Sequence, residues 1–229
     1  MTRKTLAVTS IALIALVLAG NSIRAARSLP IASHPAHESV VALAQDTRSL
    51  KEKAKQTRNF SDSQNPKDKT VYENLAALAN HSAAVIIGTP QRNLSVLSRD
   101  GNSISLNYAV SVEYVYKGKL QPGNTVTVSL PGGKIKFDDG STAEVTTHWF
   151  KKMQNGKTYA LFLQPGTGNA HFVTTGEAQG VFEIPTTQND RTVKSHSGIQ
   201  GQTVRKYDGR DVKAFLRELR QVTGKPLKN

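Results

Sequence analysis

Alternating hydrophobic and polar positions predict β-strands through the middle of the chain. From residue 104 to 116 every second position is apolar or aromatic, and residues 125–130, TVTVSL, repeat the alternation. Residues 157–164, KTYALFLQ, are apolar on both sides, which is typical of a central strand. Three shorter strands are predicted at residues 83–88 (AAVIIG), 171–175 (HFVTT) and 181–184 (VFEI). The pattern therefore predicts a mainly β fold.

Helical periodicity flanks the strand-rich region. Val71, Leu75 and Leu78 have helical spacing, and Thr70 is placed to cap a helix that leads into the first strand. Near the end of the chain one apolar stripe predicts an amphipathic helix that packs on the sheet and ends at Gly224. The stripe consists of Val212, Phe215, Leu216, Leu219 and Val222.

The region before residue 71 has little periodicity. Residues 38–57 form a weakly amphipathic helix at best, and residues 58–70, RNFSDSQNPKDKT, are polar and contain a proline, as linkers do. We therefore expect residues 26–70 to be a flexible or weakly helical basic tether. Residues 71–229 are expected to form a single folded domain.

The hydrophobic pattern also predicts the register of one hairpin. Pairing KIKF with TAEV through a three-residue turn, residues 139–141, sets apolar side chains against each other and Lys136 against Glu144. A two-residue Asp-Gly turn would instead set Ile135 against Glu144. We therefore predict the three-residue turn.

The first 25 residues have the three-part pattern of a secretory signal. Arg3 and Lys4 precede an uncharged apolar run, and a small-residue stretch follows, with cleavage expected after Ala25. The run is shorter than the about 20 residues that span a bilayer, so an uncleaved membrane anchor is the alternative. The sequence predicts an exported bacterial protein, periplasmic or extracellular.

Composition narrows the partners of such a protein. The chain has no cysteine, which excludes disulfides, a thiol nucleophile and a lipidated cysteine. Removing residues 1–25 takes away three basic residues and no acid, which lowers the net charge from +13 to +10. For an exported protein, this charge favours an anionic polysaccharide, an envelope polymer or another exported protein over nucleic acid. A well-solvated surface with no dedicated partner is the alternative.

Glycines and lysines at residues 112–140 raise the question of a phosphate-binding loop. Such a loop requires Gly-Lys-Ser/Thr at the start of a helix, because backbone amides and the helix terminus hold the anion. Here Ile135 follows Gly133 and Lys134, and the next element is predicted to be a strand. We therefore assign these glycines to turns.

Four motifs carry a resemblance to a known family. They are Val85 to Gly88, Val115 to Gly118, Gly156 to Leu163, and the Gln-Gly pair at Gln179 and Gly180. Together they resemble a family of uncharacterised bacterial exported proteins whose domain is similar to netrin-like or TIMP-like OB barrels. The resemblance spans about residues 82–184.

The resemblance implies a small OB-like β-barrel of five or six strands with a flanking N-terminal helix and the C-terminal amphipathic helix. It implies little chemistry. TIMP-type inhibitors chelate a protease zinc through an N-terminal cysteine, and netrin modules are disulfide-bonded, so neither mechanism carries over to a chain without cysteine.

Candidate catalytic groups are few. The spacings Gly-x-Ser-x-Gly and Ser-x-x-Lys do not occur. Ser195 or Ser197, beside His196 and near Asp190, could form a scattered triad, but residues 186–203 have the composition of an exposed loop. We predict no catalytic residues.

The histidines do not predict a metal site. His37 and Glu38 begin a zincin-like motif whose second histidine position is Val41. His34 with His37, or His148 with His171 if their strands are neighbours, could bind a metal only weakly as a pair. We therefore expect isolated surface histidines, with no metal and no cofactor.

The candidate ligand-binding residues surround the only tryptophan of the chain. HWFKK, residues 148–152, joins aromatic and basic side chains, which can stack on sugars or hold anionic polymers. Trp149 shares a face with Val145 in the predicted hairpin, so core burial is expected for it. The predicted basic and aromatic strip consists of Lys134, Lys136, His148, Trp149, Lys151, Lys152 and Lys157.

The leading functional hypothesis is a non-enzymatic exported β-barrel that binds an anionic envelope or extracellular partner. One alternative is an exported hydrolase whose catalytic residues come from separate loops. A deep pocket with His148 or His171 near a serine and a carboxylate would favour it. Another alternative is a structural accessory module, for which a flat apolar patch would argue.

Overall fold

The computed structural model describes residues 46–64, 70–166, 171–187, 190–198 and 206–224. The helices in these ranges are α1 (Leu50–Thr57), α2 (Leu75–His81) and α3 (Val212–Thr223). The strands there are β1 (Asn59–Ser63), β2 (Ala84–Leu97), β3 (Ile104–Lys117), β4 (Thr125–Pro131), β5 (Gly133–Lys136), β6 (Thr142–Thr146), β7 (Tyr159–Pro165), β8 (His171–Thr174), β9 (Val181–Glu183) and β10 (Lys194–Ser195). A short 3₁₀ helix, Glu177–Gly180, lies between β8 and β9. The predicted signal and the predicted tether up to residue 45 lie outside the described residues.

Five strands close into a barrel. β2 pairs with β3, β3 with β4, β4 with β8, β8 with β7, and β7 with β2. The β4–β8 pair is parallel and the other four pairs are antiparallel. Counted along the chain, the barrel strands follow the order first, second, third, fifth, fourth, which is the order of an OB barrel. The predicted fold class, a mainly β, OB-like barrel with flanking helices, is confirmed.

Side chains that the alternation placed on one face fill the barrel. On β3, Leu106, Tyr108 and Val110 are buried, while the residues between them are only partly buried. β7 is buried without interruption from Tyr159 to Leu163, as its continuous apolar run predicted. One side of β7 faces the barrel interior and the other faces a second core, so both sides have to be apolar.

The second core joins α2 and α3 to the outside of β7 and β9. Phe182 lies at its centre, with ring centroids 6.0 Å from Phe162, 6.2 Å from Tyr207 and 5.2 Å from Phe215. The apolar stripe of α3 supplies Phe215 from the helix side, as predicted. α3 ends at Gly224, whose left-handed backbone directs its N–H to the last helical carbonyls, as predicted.

α2 begins later than the sequence predicts. Asn74, rather than Thr70, caps the helix, and its side chain accepts a hydrogen bond from the backbone N–H of Ala77 at 2.9 Å. The preceding residues cannot join the helix because the backbone N–H of Tyr72 donates to the buried Gln179 side chain at 3.0 Å. A tertiary contact therefore moves the helix start by one turn.

A second, three-stranded sheet corrects the predicted linker. Residues 58–70 were expected to belong to a tether, but β1 lies among them and pairs in parallel with β6, which pairs with β5. α1 packs on this sheet through Leu50 and Ala54, against Ala143 and Val145. β1 is mostly exposed, so its sequence has no alternation to detect. The folded unit therefore includes residues well before 71.

The register of the β5–β6 hairpin differs from the prediction by two residues. Ile135 lies opposite Ala143, where Val145 was predicted. Glu144 lies opposite Lys134, where Lys136 was predicted. The turn has three residues, as predicted, but they are residues 138–140. The backbone N–H of Phe137 donates to the carbonyl of Ser141 across this turn. Gly140, at φ 82°, takes the left-handed position that ends such a turn, which fixes the loop one residue earlier.

Candidate ligand-binding surface

β2 extends far beyond the predicted strand. It continues to Leu97 instead of ending at Gly88, and register shifts at three places, the last between Pro90 and Arg92, make it irregular. Beyond that shift Leu94 is 68% exposed. This part of β2 adds an open outer face to the barrel.

One row of side chains crosses five strands on this outer face. Leu94 pairs with Asn107, Asn107 with Ser129, Ser129 with Val173, and Val173 with Gln164. Partners in register project to the same side of a sheet, so the five side chains form one line across the barrel. We call this line the outer row. It runs from β2 through β3, β4 and β8 to β7.

A concave surface lies at each end of the outer row. The first, here called the Leu94 groove, has a volume of about 470 Å³ and is lined mainly by Arg92, Asn93, Leu94, Val96, Asn107 and Thr127. The second, here called the Glu177 pocket, has a volume of about 330 Å³ and is lined mainly by Gln64, Ser129, Trp149, Gln164, Val173 and Glu177. The contact between Asn107 and Ser129 joins the two surfaces.

The residues at this junction form a hydrogen-bond network. The Ser129 hydroxyl donates to Oδ1 of Asn107 and lies 2.8 Å from Nε2 of His171. Asn107 is an amide that contacts the serine and not the histidine, whereas the third member of a Ser-His-Asp triad is a carboxylate that orients the histidine.

Glu177 is held in an unusual conformation at the edge of its pocket. Its backbone has φ 53°, in the left-handed region, directly after Gly176 at φ 61°. Such a conformation costs a residue with a side chain about 1–2 kcal/mol. The Glu177 carboxylate accepts a hydrogen bond of 2.9 Å from the indole N–H of Trp149, which fixes its direction.

The turn before Glu177 is fixed from behind. A Cβ atom on Gly176 would lie 2.6 Å from the ring of Tyr72, so only glycine fits. The Gln179 side chain accepts from the backbone N–H of Tyr72 at 3.0 Å and donates to the carbonyl of Thr70 at 2.8 Å. These contacts hold the turn against the segment that precedes α2.

Another polar network lies away from the outer row, around His196. Nδ1 of this ring is 2.7 Å from the carbonyl of Lys151, and Nε2 is 3.4 Å from the carboxylate of Glu183. Glu183 also forms an ion pair of 3.0 Å with Lys157. Burial lowers the pKa of His196 below its ordinary value of 6.5, and the Lys151 carbonyl and Glu183 oppose that shift.

Ser195, His196 and Ser197 are buried, so the predicted exposed loop is wrong for these three residues. Both ring nitrogens of His196 face Lys151 and Glu183, and Ser195 Oγ accepts the backbone N–H of Ser197. Asp190 pairs with Lys194 instead. These residues act as supports of the fold, because β10 and the following turn tie the segment before β7 to β9.

The predicted basic and aromatic strip divides between two places. Lys134 and Lys136 are exposed on β5, where Lys134 lies 3.7 Å from Glu144. The other members lie in the segment leading to β7; they are His148, Trp149, Lys151, Lys152 and Lys157. Trp149 is 8% exposed, so its expected burial is confirmed. It is the one member that lines the Glu177 pocket, and no member lines the Leu94 groove in the described chain.

Sequence reasoning missed most residues of the outer row. Asn107 and Ser129 stood on the polar sides of predicted strands and gave no separate signal. Arg92 and Leu94 lie beyond the predicted end of the first strand. Glu177 had one signal: it follows a glycine directly, in a segment between two predicted strands. That position suits a turn with left-handed backbone.

No protein-family model matches the chain, and no curated protein matches it. The resemblance to netrin-like or TIMP-like barrels therefore stays a prediction. Across the described ranges no group of three or more metal-binding side chains comes together. The helices of those ranges are also too short or too polar to cross a membrane.

Proposed function

We propose that the protein is a non-enzymatic binding module of the bacterial envelope or extracellular space, and that it holds an anionic polysaccharide across its outer row. The observation that carries the proposal is the continuity of this row, which joins the Leu94 groove to the Glu177 pocket. A polymer requires a surface longer than one pocket. OB barrels bind oligosaccharides and oligonucleotides on the face of their second and third strands, which here are β3 and β4.

Charge supports an anionic polymer. The chain has 30 basic and 17 acidic residues, and this balance attracts polyanions at low ionic strength. In the Leu94 groove, Arg92 is exposed beside the exposed Leu94, so a cation and an apolar contact are available together. The location outside the cytoplasm rests on the predicted signal segment.

The test is a titration of the protein with two polysaccharides over a salt series. Hyaluronan alternates acidic and neutral rings, and every ring of polygalacturonate is acidic. We expect saturable binding of hyaluronan that weakens as salt rises, because exposed charges are screened within about 10 Å at 0.1 M salt. The double variant Arg92→Ser with Leu94→Ser should weaken binding at least tenfold.

Arg217→Ser is the matched control, since Arg217 is exposed on α3 and lines neither concave surface. It removes one positive charge as the test variant does, so it separates net charge from position. Equal losses in both variants would contradict the groove as the binding site. If neither polymer binds at low salt, the proposal is wrong.

A further inference from the structure

We infer that the Glu177 pocket recognises one uncharged pyranose ring of the bound polymer, an inference that rests on the proposed function above. Pyranose rings present apolar C–H faces and a rim of hydroxyl groups. A site for them therefore needs an apolar surface and several polar groups directed at one space. The Glu177 pocket has both, and its volume of about 330 Å³ is at the small end of ligand sites, which suits one ring.

The polar groups of the pocket come from separate elements, and hydrogen bonds hold the side chains of Ser129 and Gln164 in place. Ser129 is fixed by Asn107 and His171, as described above. The Gln164 side chain donates to the carbonyl of His81 at 2.9 Å, which anchors its amide on the last turn of α2. Gln64 follows β1, where its backbone N–H donates to Thr146. Hydroxyl groups of a sugar both donate and accept, and amide and hydroxyl side chains complement them.

The apolar contribution comes chiefly from Val173 and Pro131. Val173 is 37% exposed and lies in the outer row between Ser129 and Gln164. Trp149 exposes too little of its ring to act as a stacking platform. Its part is to donate its indole N–H to Glu177 and so direct the carboxylate.

Glu177 decides the charge of the ring. Its carboxylate lines the pocket, where the hydrogen bond from the Trp149 indole N–H directs it. A carboxylate accepts several hydrogen bonds, so Glu177 can receive a sugar hydroxyl in addition to the Trp149 indole. A uronate ring in the same position would bring two negative charges together at short distance, which is unfavourable. The pocket therefore selects a neutral ring, and an acidic neighbour in the polymer would lie toward Arg92.

The single tryptophan makes this inference directly testable. In ¹H–¹⁵N NMR of the full chain, the Trp149 indole N–H gives one resonance that reports on Glu177. The neutral probes are the methyl glycosides of glucose, galactose and N-acetylglucosamine. The charged probes are the methyl glycosides of glucuronate and galacturonate, each with a free carboxylate. We expect at least one neutral glycoside to shift the indole resonance saturably, and its uronate counterpart to bind at least tenfold more weakly.

Two variants separate recognition from structural support. Glu177→Gln keeps an acceptor for the indole and removes the charge, so discrimination against the uronate should fall at least tenfold while neutral binding is retained. Gln164→Ala should weaken neutral glycoside binding about tenfold, as expected for one lost hydrogen bond. Glu144→Gln, on β6 and outside the pocket, is the matched control and should change neither affinity.

The outcomes for the pocket and for the polymer surface are distinguishable. Equal binding of glycoside and uronate to the unaltered protein, or no shift with any neutral glycoside, would overturn the neutral-ring inference even if hyaluronan binds. If hyaluronan does not bind while a neutral glycoside still shifts the Trp149 indole resonance, the proposed polymer surface is wrong. Stronger binding of hyaluronan than of polygalacturonate is expected if both are right.

Discussion

At the residue scale, His196 is a buried group whose protonation state couples to stability. Burial lowers its pKa in the folded protein, so the unfolded chain binds more protons below about pH 6.5. We therefore expect the free energy of unfolding to fall as pH decreases from 7 to 5, by up to about 1.4 kcal/mol per pH unit. Burial raises the pKa of Glu183, but Lys157 and His196 together lower it by more, so Glu183 contributes only at more acidic pH.

Urea unfolding measured from pH 5 to 8 checks this expectation. In His196→Asn the side chain can still donate to the Lys151 carbonyl but does not titrate, so the dependence on pH in this range should flatten. A stability that rises on acidification would show the opposite, namely that the imidazolium is favoured between Lys151 and Glu183.

The glycine before Glu177 should also be sensitive at this scale. Gly176→Ala adds a Cβ at a left-handed position and 2.6 Å from the Tyr72 ring. The backbone alone should cost about 1–2 kcal/mol, and the contact with Tyr72 should add to it. Gly209→Ala is the control, because it has φ 77° and no atom within 4 Å of the added Cβ. Equal losses in thermal stability for both variants would mean that the Tyr72 approach does not constrain the turn.

At the element scale, α3 holds the second core in place through few residues. Phe215 is fully buried against Phe182 and Tyr207. Replacing it with alanine should reduce the free energy of unfolding by about 3–5 kcal/mol. Arg217→Ala, two residues along on the exposed side, should stay within about 0.5 kcal/mol of the original protein. A loss below about 1 kcal/mol for Phe215→Ala in denaturant unfolding would mean that α3 docks only loosely.

Elements were predictable where burial is one-sided or complete. β3, β4, β7 and α3 carry alternation, a continuous apolar run or a helical stripe, and their bounds agree closely with the prediction. β1 and the outer part of β2 are mostly exposed, so their residue types do not distinguish strand from loop. The β5–β6 register failed by two residues because the prediction relied on apolar pairing, whereas the left-handed Gly140 ends the turn one residue earlier and sets Val145 opposite Gly133.

At the scale of the whole molecule, the segment before residue 71 contributes to the folded unit. β1 is a strand of the sheet that includes β6, and α1 packs on that sheet, where Leu50 and Ala54 are buried. We expect a chain beginning at Thr70 to unfold at a lower temperature than one beginning at Asp46, because Ala143 and Val145 lose their apolar cover. Calorimetry of the two chains checks this. Equal unfolding temperatures would restore the interpretation of this segment as a tether.

The candidate site is a property of the whole molecule as well. Leu94, Asn107, Ser129, Val173 and Gln164 belong to five strands, and each is ordinary where it stands in the sequence. Only closure of the barrel sets them in one row, and the parallel β4–β8 pair is the step that brings Val173 beside Ser129. The predicted strip around Trp149 relied on neighbours along the chain, and only Trp149 itself reaches the Glu177 pocket.

The sequence by itself determined the β class, the buried faces of the main strands and the amphipathic helix, because hydrophobic periodicity records which side of an element leaves water. Trp149 burial follows from the same local reasoning. Tertiary structure alone decided the exposed strands, the start of α2 and the outer row. Those features depend on pairing between distant, mostly polar segments, and polar residues are compatible with many partners until the barrel closes.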